Sequence, residues 1–207
     1  MRTPLFHAIL GLALLAAPIA ASAQAVISNG TVRIGVRADG ALMPDTVAPL
    51  TGITYLPTGG DGLTPGCLCE AWGIANATTA QSGYTGAEVG TRGITSESFT
   101  STATTATAVA NAFGTFRVTH SFSPSAASPN LYEVKVTIEN ISGAAARVLY
   151  GRAMDWDIPP TTFAELVTLQ RGNSPALVYT SNDGFFSANP LGTDGGGLAN
   201  QNFTRSG

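Results

Sequence analysis

The chain has 207 residues, with 10 Lys and Arg against 13 Asp and Glu, a formal net charge of −3 and two cysteines. No basic run is present, which argues against nucleic acid and anionic membranes as partners. Charged residues make up only 11% of the chain, so burial and turn chemistry must specify most of the structure.

The N-terminus reads as a secretory signal. Arg2 supplies a positive start, "LFHAILGLALLAAPIA" an apolar segment too short for a stable span, and "ASA" before Gln24 a small-residue cleavage pattern. A second cleavage pattern, "AQA", precedes Val26, and a short membrane anchor is the alternative. The expectation is a signal peptide over 1–23 and an exported protein in the periplasm, at the cell surface or outside the cell. Cleavage leaves about 180 residues, enough for one domain with a core. Nothing after the signal is apolar for long enough to cross a bilayer.

The first element follows at once. "VISNGTVRIGV" sets Asn29-Gly30 between β-branched runs, which predicts a two-residue hairpin. Residues 38–66 are rich in Pro and Gly and read as loop, with one short strand near "GITYLP". "TPGCLCEAWG" then brings Cys67 and Cys69, one residue apart. On a strand their Cα atoms would lie about 6.5–7 Å apart, at the far limit for a disulfide, unless Pro65-Gly66 bends the backbone. A disulfide, a packed pair of thiols, and a metal or redox site all remain open. Zinc would need further ligands, and after the signal His120 is the only histidine. The spacing also differs from the C-x-x-C of thioredoxin-type redox sites.

The low-complexity stretch "SESFTSTATTATAVANAFG" suits two small-residue strands. "TFRVTHSF" places Phe116, Val118, His120 and Phe122 on one face, so His120 reads as a packed core or edge residue rather than a catalyst. "LYEVKVTIEN" sets Tyr132, Val134, Val136 and Ile138 opposite Glu133, Lys135, Thr137 and Glu139. In "GRAMDWDIPP", strand alternation puts Asp155 and Asp157 on one side and Arg152, Met154, Trp156 and Ile158 on the other. Whichever side is buried must pair its charge. Arg152 can be satisfied by a carboxylate from a neighbouring strand, or by Asp155 if a bulge at Gly151 turns it over. A structural ion-pair network, a weak metal site and a catalytic carboxylate pair are the readings of Arg152, Asp155 and Asp157.

"TTFAELVTLQ" resembles a capping box but reads as one turn feeding a strand, and "ALVYT" as another strand. Asn182, Asp183 and Asp194 could offer oxygens to Ca²⁺, the one cofactor suggested, but they lack the spacing of a calcium loop and read as turn residues. The N-x-S/T sequons of the chain include Asn76, Asn140 and Asn202. Residues 193–207 read as a Gly-rich tail without order.

Turns recur about every ten residues, which predicts an all-β fold, an antiparallel β-sandwich over 24–192 with a supersandwich-like variant open, incomplete at the C-terminus. No G-x-S-x-G, H-E-x-x-H or phosphate-binding loop is present, so no catalytic residue is assigned.

The phrases "VISNGTVRIGV", "YLPTGGDGLTPGCLCEAWGIA", "ESFTSTATTATAV", "FRVTHSFSPS", "NLYEVKVTIENIS" and "GRAMDWDIPPTTF" together resemble exported bacterial proteins with a PEP-CTERM sorting tail, handled by exosortases. The resemblance implies export by a Gram-negative bacterium and association with the surface or with extracellular polysaccharide. It implies no site residues. The Pro-Glu-Pro tail of that group is missing from this sequence, which stops at "TRSG". The reading is therefore a noncatalytic surface or biofilm-matrix protein. The alternatives are a carbohydrate-binding module stacking sugars on Trp72, Tyr84 or Trp156, and a glycan-active enzyme using Asp155 or Asp157.

Overall fold

The computed structural model describes residues 24–44, 49–164, 167–170 and 177–181. Its strands are β1 (Gln24–Ser28), β2 (Val32–Arg37), β3 (Ile53–Tyr55), β4 (Gly60–Asp61), β5 (Glu70–Asn76), β6 (Gln81–Gly86) and β7 (Gly90–Arg92). They continue with β8 (Ile94–Ser101), β9 (Ala106–Ala112), β10 (Phe116–Pro124), β11 (Tyr132–Asn140), β12 (Val148–Met154), β13 (Val167–Gln170) and β14 (Leu177–Ser181). All pairings are antiparallel and the described residues contain no helix, so the fold is an all-β sandwich.

One layer is the sheet β11-β10-β9-β8. Its inner face is written by strict alternation: Ala106, Ala108, Ala110 and Ala112 of β9 are buried, as are Phe116, Val118, His120 and Phe122 of β10. The other layer is two sheets side by side, β1-β2-β3-β4 and β12-β5-β6-β7. Ile27, Val32, Ile34 and Val36 of the first cluster with Ala106 and Phe122. Trp72 and Ile74 of the second cluster with Ala110, Ala112, Phe116 and Val118. The alanines of β9 make room for these larger groups, which is what a close-packed core requires. His120 falls between the two clusters, at the seam where the two sheets of the second layer meet.

On the outer face, β8 bulges between Ser96 and Ser98. Arg117 bridges Glu97 at 2.8 Å and Glu139 at 3.0 Å there, an exposed ladder of small energetic weight.

The first hairpin differs from expectation by one residue. Its closing pair is Asn29 with Val32, the Asn29 N–H donating to the Val32 carbonyl at 3.2 Å, so Gly30-Thr31 is the two-residue loop. Gly30 has φ +89°, suiting a turn with Gly at its first central position. Asn29 instead caps the turn, its Oδ1 accepting from the N–H groups of Thr31 and Val32 at 3.0 and 2.8 Å.

The strand expected through "GRAMDWDIPP" ends at Met154. Its register with β5 is continuous, Gly151 opposite Gly73 and Arg152 opposite Trp72, so there is no bulge to turn Arg152 over. Asp155 and Asp157 lie beyond the strand, and strand alternation does not govern them. The signal segment, the C-terminal tail, Asn182, Asp183, Asp194 and Asn202 lie outside the described residues.

Candidate functional site

The seam holds a buried polar cluster built around the tip of the β1–β2 sheet's second strand. After β2 the chain turns at Asp39-Gly40, the Gly40 N–H donating to the Arg37 carbonyl at 3.0 Å. This tip is pinned from several elements. Trp72 Nε1–H donates to the Asp39 carbonyl at 2.9 Å, and the Thr85 hydroxyl donates to Asp39 Oδ2 at 2.7 Å. Arg37 forms an ion pair with the same carboxylate at 3.1 Å. The Leu42 N–H donates to Glu70 Oε2 at 2.5 Å.

Arg152 and Glu70 form the centre. Arg152 Nε lies 2.6 Å from Glu70 Oε1, with side chains 10% and 0% exposed. Arg152 also donates to the Gly40 carbonyl at 3.1 Å, and its guanidinium lies 5.7 Å from the Phe122 ring centre. The carboxylate therefore comes from a neighbouring strand, β5, and Arg152 pairs with Glu70 rather than with Asp155. Burial pushes the Glu70 carboxyl above the usual range, and the Arg152 charge opposes that shift. Glu70 carries no sequence signal of its own; it starts a strand with no alternation, and only the ladder with β12 brings it near Arg152.

His120 lies in the same seam, fully buried, its Nε2 2.8 Å from the Tyr150 hydroxyl and its ring 4.7 Å from Trp72. Desolvation first, then the Arg152 charge, lower its pKa to about 3, so the imidazole is neutral. Gly40 packs directly against its ring: a Cβ there would stand 2.5 Å from Nδ1, and φ is +85°. Gly40→Ala is thus expected to lower stability by about 2–4 kcal/mol, measured by urea denaturation, from overpacking plus a disfavoured backbone. A loss under about 0.5 kcal/mol would show that the tip can retreat from the seam.

Beside the seam the sandwich opens into a groove of about 610 Å³. Its walls are mostly apolar, including Val32, Ile53, Phe122, Val134 and Met154, and among the described residues its charged lining is Arg152 and Glu133. Trp156 and Tyr55, 39% and 41% exposed, present aromatic surface at it. Thr58, Asn130 and Glu133 add polar groups. The Asp157 N–H, next in sequence, donates to the Gly62 carbonyl at 2.9 Å and fixes Trp156 beside that loop.

The residues singled out by sequence are thus dispersed. Trp72 is buried in the core and offers no stacking surface. Tyr84 sits on β6 opposite Arg92, whose guanidinium lies 5.6 Å from its ring centre, and does not line the groove. Trp156 does line it. Asp157 is 4% exposed. Cys67 and Cys69 are joined by a disulfide, with Cα atoms 5.1 Å apart. The Cys67–Cys69 pair follows Gly66 at φ +80°, and Cys69 is the centre of a three-residue turn closed by the Glu70 N–H to the Leu68 carbonyl at 3.0 Å. Of the sequons, Asn76 is buried and its Oδ1 accepts from the Thr78 N–H at 2.9 Å, whereas Asn140 is exposed and caps a turn through Ser142. Both sequons are used as turn chemistry.

Among the described residues no helix is long and apolar enough to cross a membrane. Comparisons of the chain with protein-family models, curated proteins and solved structures find no match.

Proposed function

We propose that this chain is a noncatalytic, exported β-sandwich protein that works at the cell surface or in an extracellular polysaccharide matrix, with the groove as its contact surface. The observation that carries the reading is Trp156 and Tyr55 half-exposed at a groove whose remaining walls are largely apolar. Aromatic faces suit the C–H faces of sugar rings, and Thr58, Asn130 and Glu133 supply donors and acceptors for hydroxyls. Among the described residues lining the groove Glu133 is the one carboxylate, while Asp155 contacts Cys67 and Asp157 is buried, so the described lining does not bring together the carboxylate pair of a glycosidase. Export and matrix association rest on the signal-like N-terminus and on the resemblance to PEP-CTERM proteins.

Affinity electrophoresis of the protein through gels containing bacterial exopolysaccharides tests the reading. Retardation is expected, and Trp156→Ala is expected to weaken it at least about tenfold, a loss of about 1.4 kcal/mol. Because Trp156 is partly exposed, that variant should fold as the wild type does. Unretarded migration in every polysaccharide, or equal retardation of W156A, would overturn the assignment of the groove.

A further inference from the structure

A second constellation lies where β5 begins and β12 ends. The ladder pairs Glu70 with Met154, and one step beyond it the Asp155 N–H donates to the Cys69 carbonyl at 3.0 Å. Asp155 is thereby registered against the cysteine loop by backbone, not by side-chain chance. Cys67 Sγ lies 3.5 Å from Asp155 Oδ2. The two sulfurs and a carboxylate oxygen all fall within 4.8 Å of one another, and all three residues are half-buried. A second carboxylate adjoins the loop, since a Cβ on Gly66 would stand 3.3 Å from Asp157 Oδ2.

A disulfide sulfur carries no proton, so the contact between Cys67 and Asp155 is not a hydrogen bond in the oxidised protein. The same arrangement suits two thiolates and a carboxylate around one cation. Bonds of about 2.3 Å to sulfur and 2.0–2.2 Å to oxygen put tetrahedral ligand atoms about 3.5–3.8 Å apart; Cys67 Sγ and Asp155 Oδ2 already stand at 3.5 Å, and the two sulfurs, bonded in the oxidised protein, must move apart to match. Thiolate ligands select soft or borderline metals over Ca²⁺.

We propose that two-electron reduction of the Cys67–Cys69 disulfide turns this corner into a three-ligand site for a divalent cation of the zinc class, held by Cys67, Cys69 and Asp155. A dithiol reductant supplies two electrons and two protons: the S–S bond breaks, two thiols form, and the dithiol closes to its own disulfide. The cation then displaces both thiol protons to solvent and binds two thiolates and the Asp155 carboxylate, with water in the fourth position. A small-molecule disulfide reverses these steps: it takes two electrons and two protons to become two thiols, the Cys67–Cys69 bond re-forms, and the ion is released. An oxidising compartment keeps the corner closed, and a thiol pool opens it.

Co²⁺ is the probe, added without oxygen to the full chain before and after reduction by a dithiol that is then removed. The reduced protein is expected to bind one Co²⁺ per chain, with thiolate-to-cobalt charge-transfer absorption and the strong visible bands of a tetrahedral ion, all lost on adding Zn²⁺. The oxidised protein should show neither. Asp155→Asn should weaken Co²⁺ binding at least about tenfold while leaving the β-sheet circular dichroism unchanged. Cys67→Ser with Cys69→Ser should abolish binding. No cobalt absorption in the reduced chain, equal affinity in D155N, or loss of the β-sheet spectrum on reduction would each overturn the proposal.

Discussion

Arg152→Ala is expected to destabilise the folded protein by about 3–5 kcal/mol at pH 7, the cost of leaving a buried charge without its partner. Glu70 is fully buried, and without the guanidinium 2.6 Å away it keeps, among the described residues, the Leu42 N–H as its hydrogen-bond partner. The Gly40 carbonyl and the Phe122 ring lose their contacts with Arg152 as well. The loss should shrink in acid. Burial already raises the Glu70 carboxyl, and removing Arg152 raises it further, so the variant's folded state takes up a proton before its unfolded state does. Stability of R152A relative to wild type therefore recovers as the pH falls through that raised pKa. A double variant, Glu70→Gln with Arg152→Met, should regain most of the loss at pH 7, because both buried charges leave together. Urea denaturation reads all three proteins, with a constant slope confirming that the midpoint shift reports stability. A loss for R152A below about 1 kcal/mol, the worth of an exposed pair, would show the seam to be wet.

What the sequence disclosed follows from where each strand sits. β10 has one face in the core and one in water, so "FRVTHSF" alternates visibly and predicts the burial of His120. β9 hides its large partners behind alanines, yet its Thr/Ala alternation survives. β5 is different: all seven residues of "EAWGIAN" are buried, and a strand enclosed on both faces has no polar side to mark its period. Glu70 was invisible for that reason. β11 shows the reverse case, since "YEVKVTI" alternates well but Val134 remains 37% exposed, facing the groove rather than a covering layer. A groove formed by β2, β3, β10, β11 and β12 depends on tertiary placement, and no local spacing encodes it. The charge conflict in "GRAMDWDI" was legible as a need for a partner; the identity of that partner was not, because a ladder between residues 70–76 and 148–154 decides it. The Asp155 contact with Cys67 is likewise a product of that ladder, which aligns two chain segments 88 positions apart.

Acidification is expected to cost the wild type about 2–3 kcal/mol through His120 alone between pH 6.5 and 4.5, at about 1.4 kcal/mol per unit. The sign follows from the depressed folded pKa. An unfolded histidine takes a proton near its ordinary 6.5, whereas the folded one refuses it until about 3. Between those values the unfolded state binds more protons, so stability falls as the pH falls, and the contribution is fully present only above 6.5. The groups around the imidazole explain the refusal. Burial dominates, the Arg152 charge repels a second cation, and Asp39 attracts one only weakly enough to leave the balance unchanged. Glu70 works in the opposite direction, since its raised pKa makes the folded state the better proton acceptor in part of the same range. The comparison must therefore be made against a variant that keeps Glu70, Arg152 and Asp39. His120→Phe does so; it removes the imidazole and strands the Tyr150 hydroxyl at a cost of about 1–3 kcal/mol that does not depend on pH over this range. Unfolding free energies from urea melts at intervals from pH 7 to 4 should converge, the wild type losing its advantage over H120F as the pH drops. Parallel profiles for the two proteins would mean that His120 takes up its proton in the folded seam as readily as in the unfolded chain, and the depressed pKa would fail.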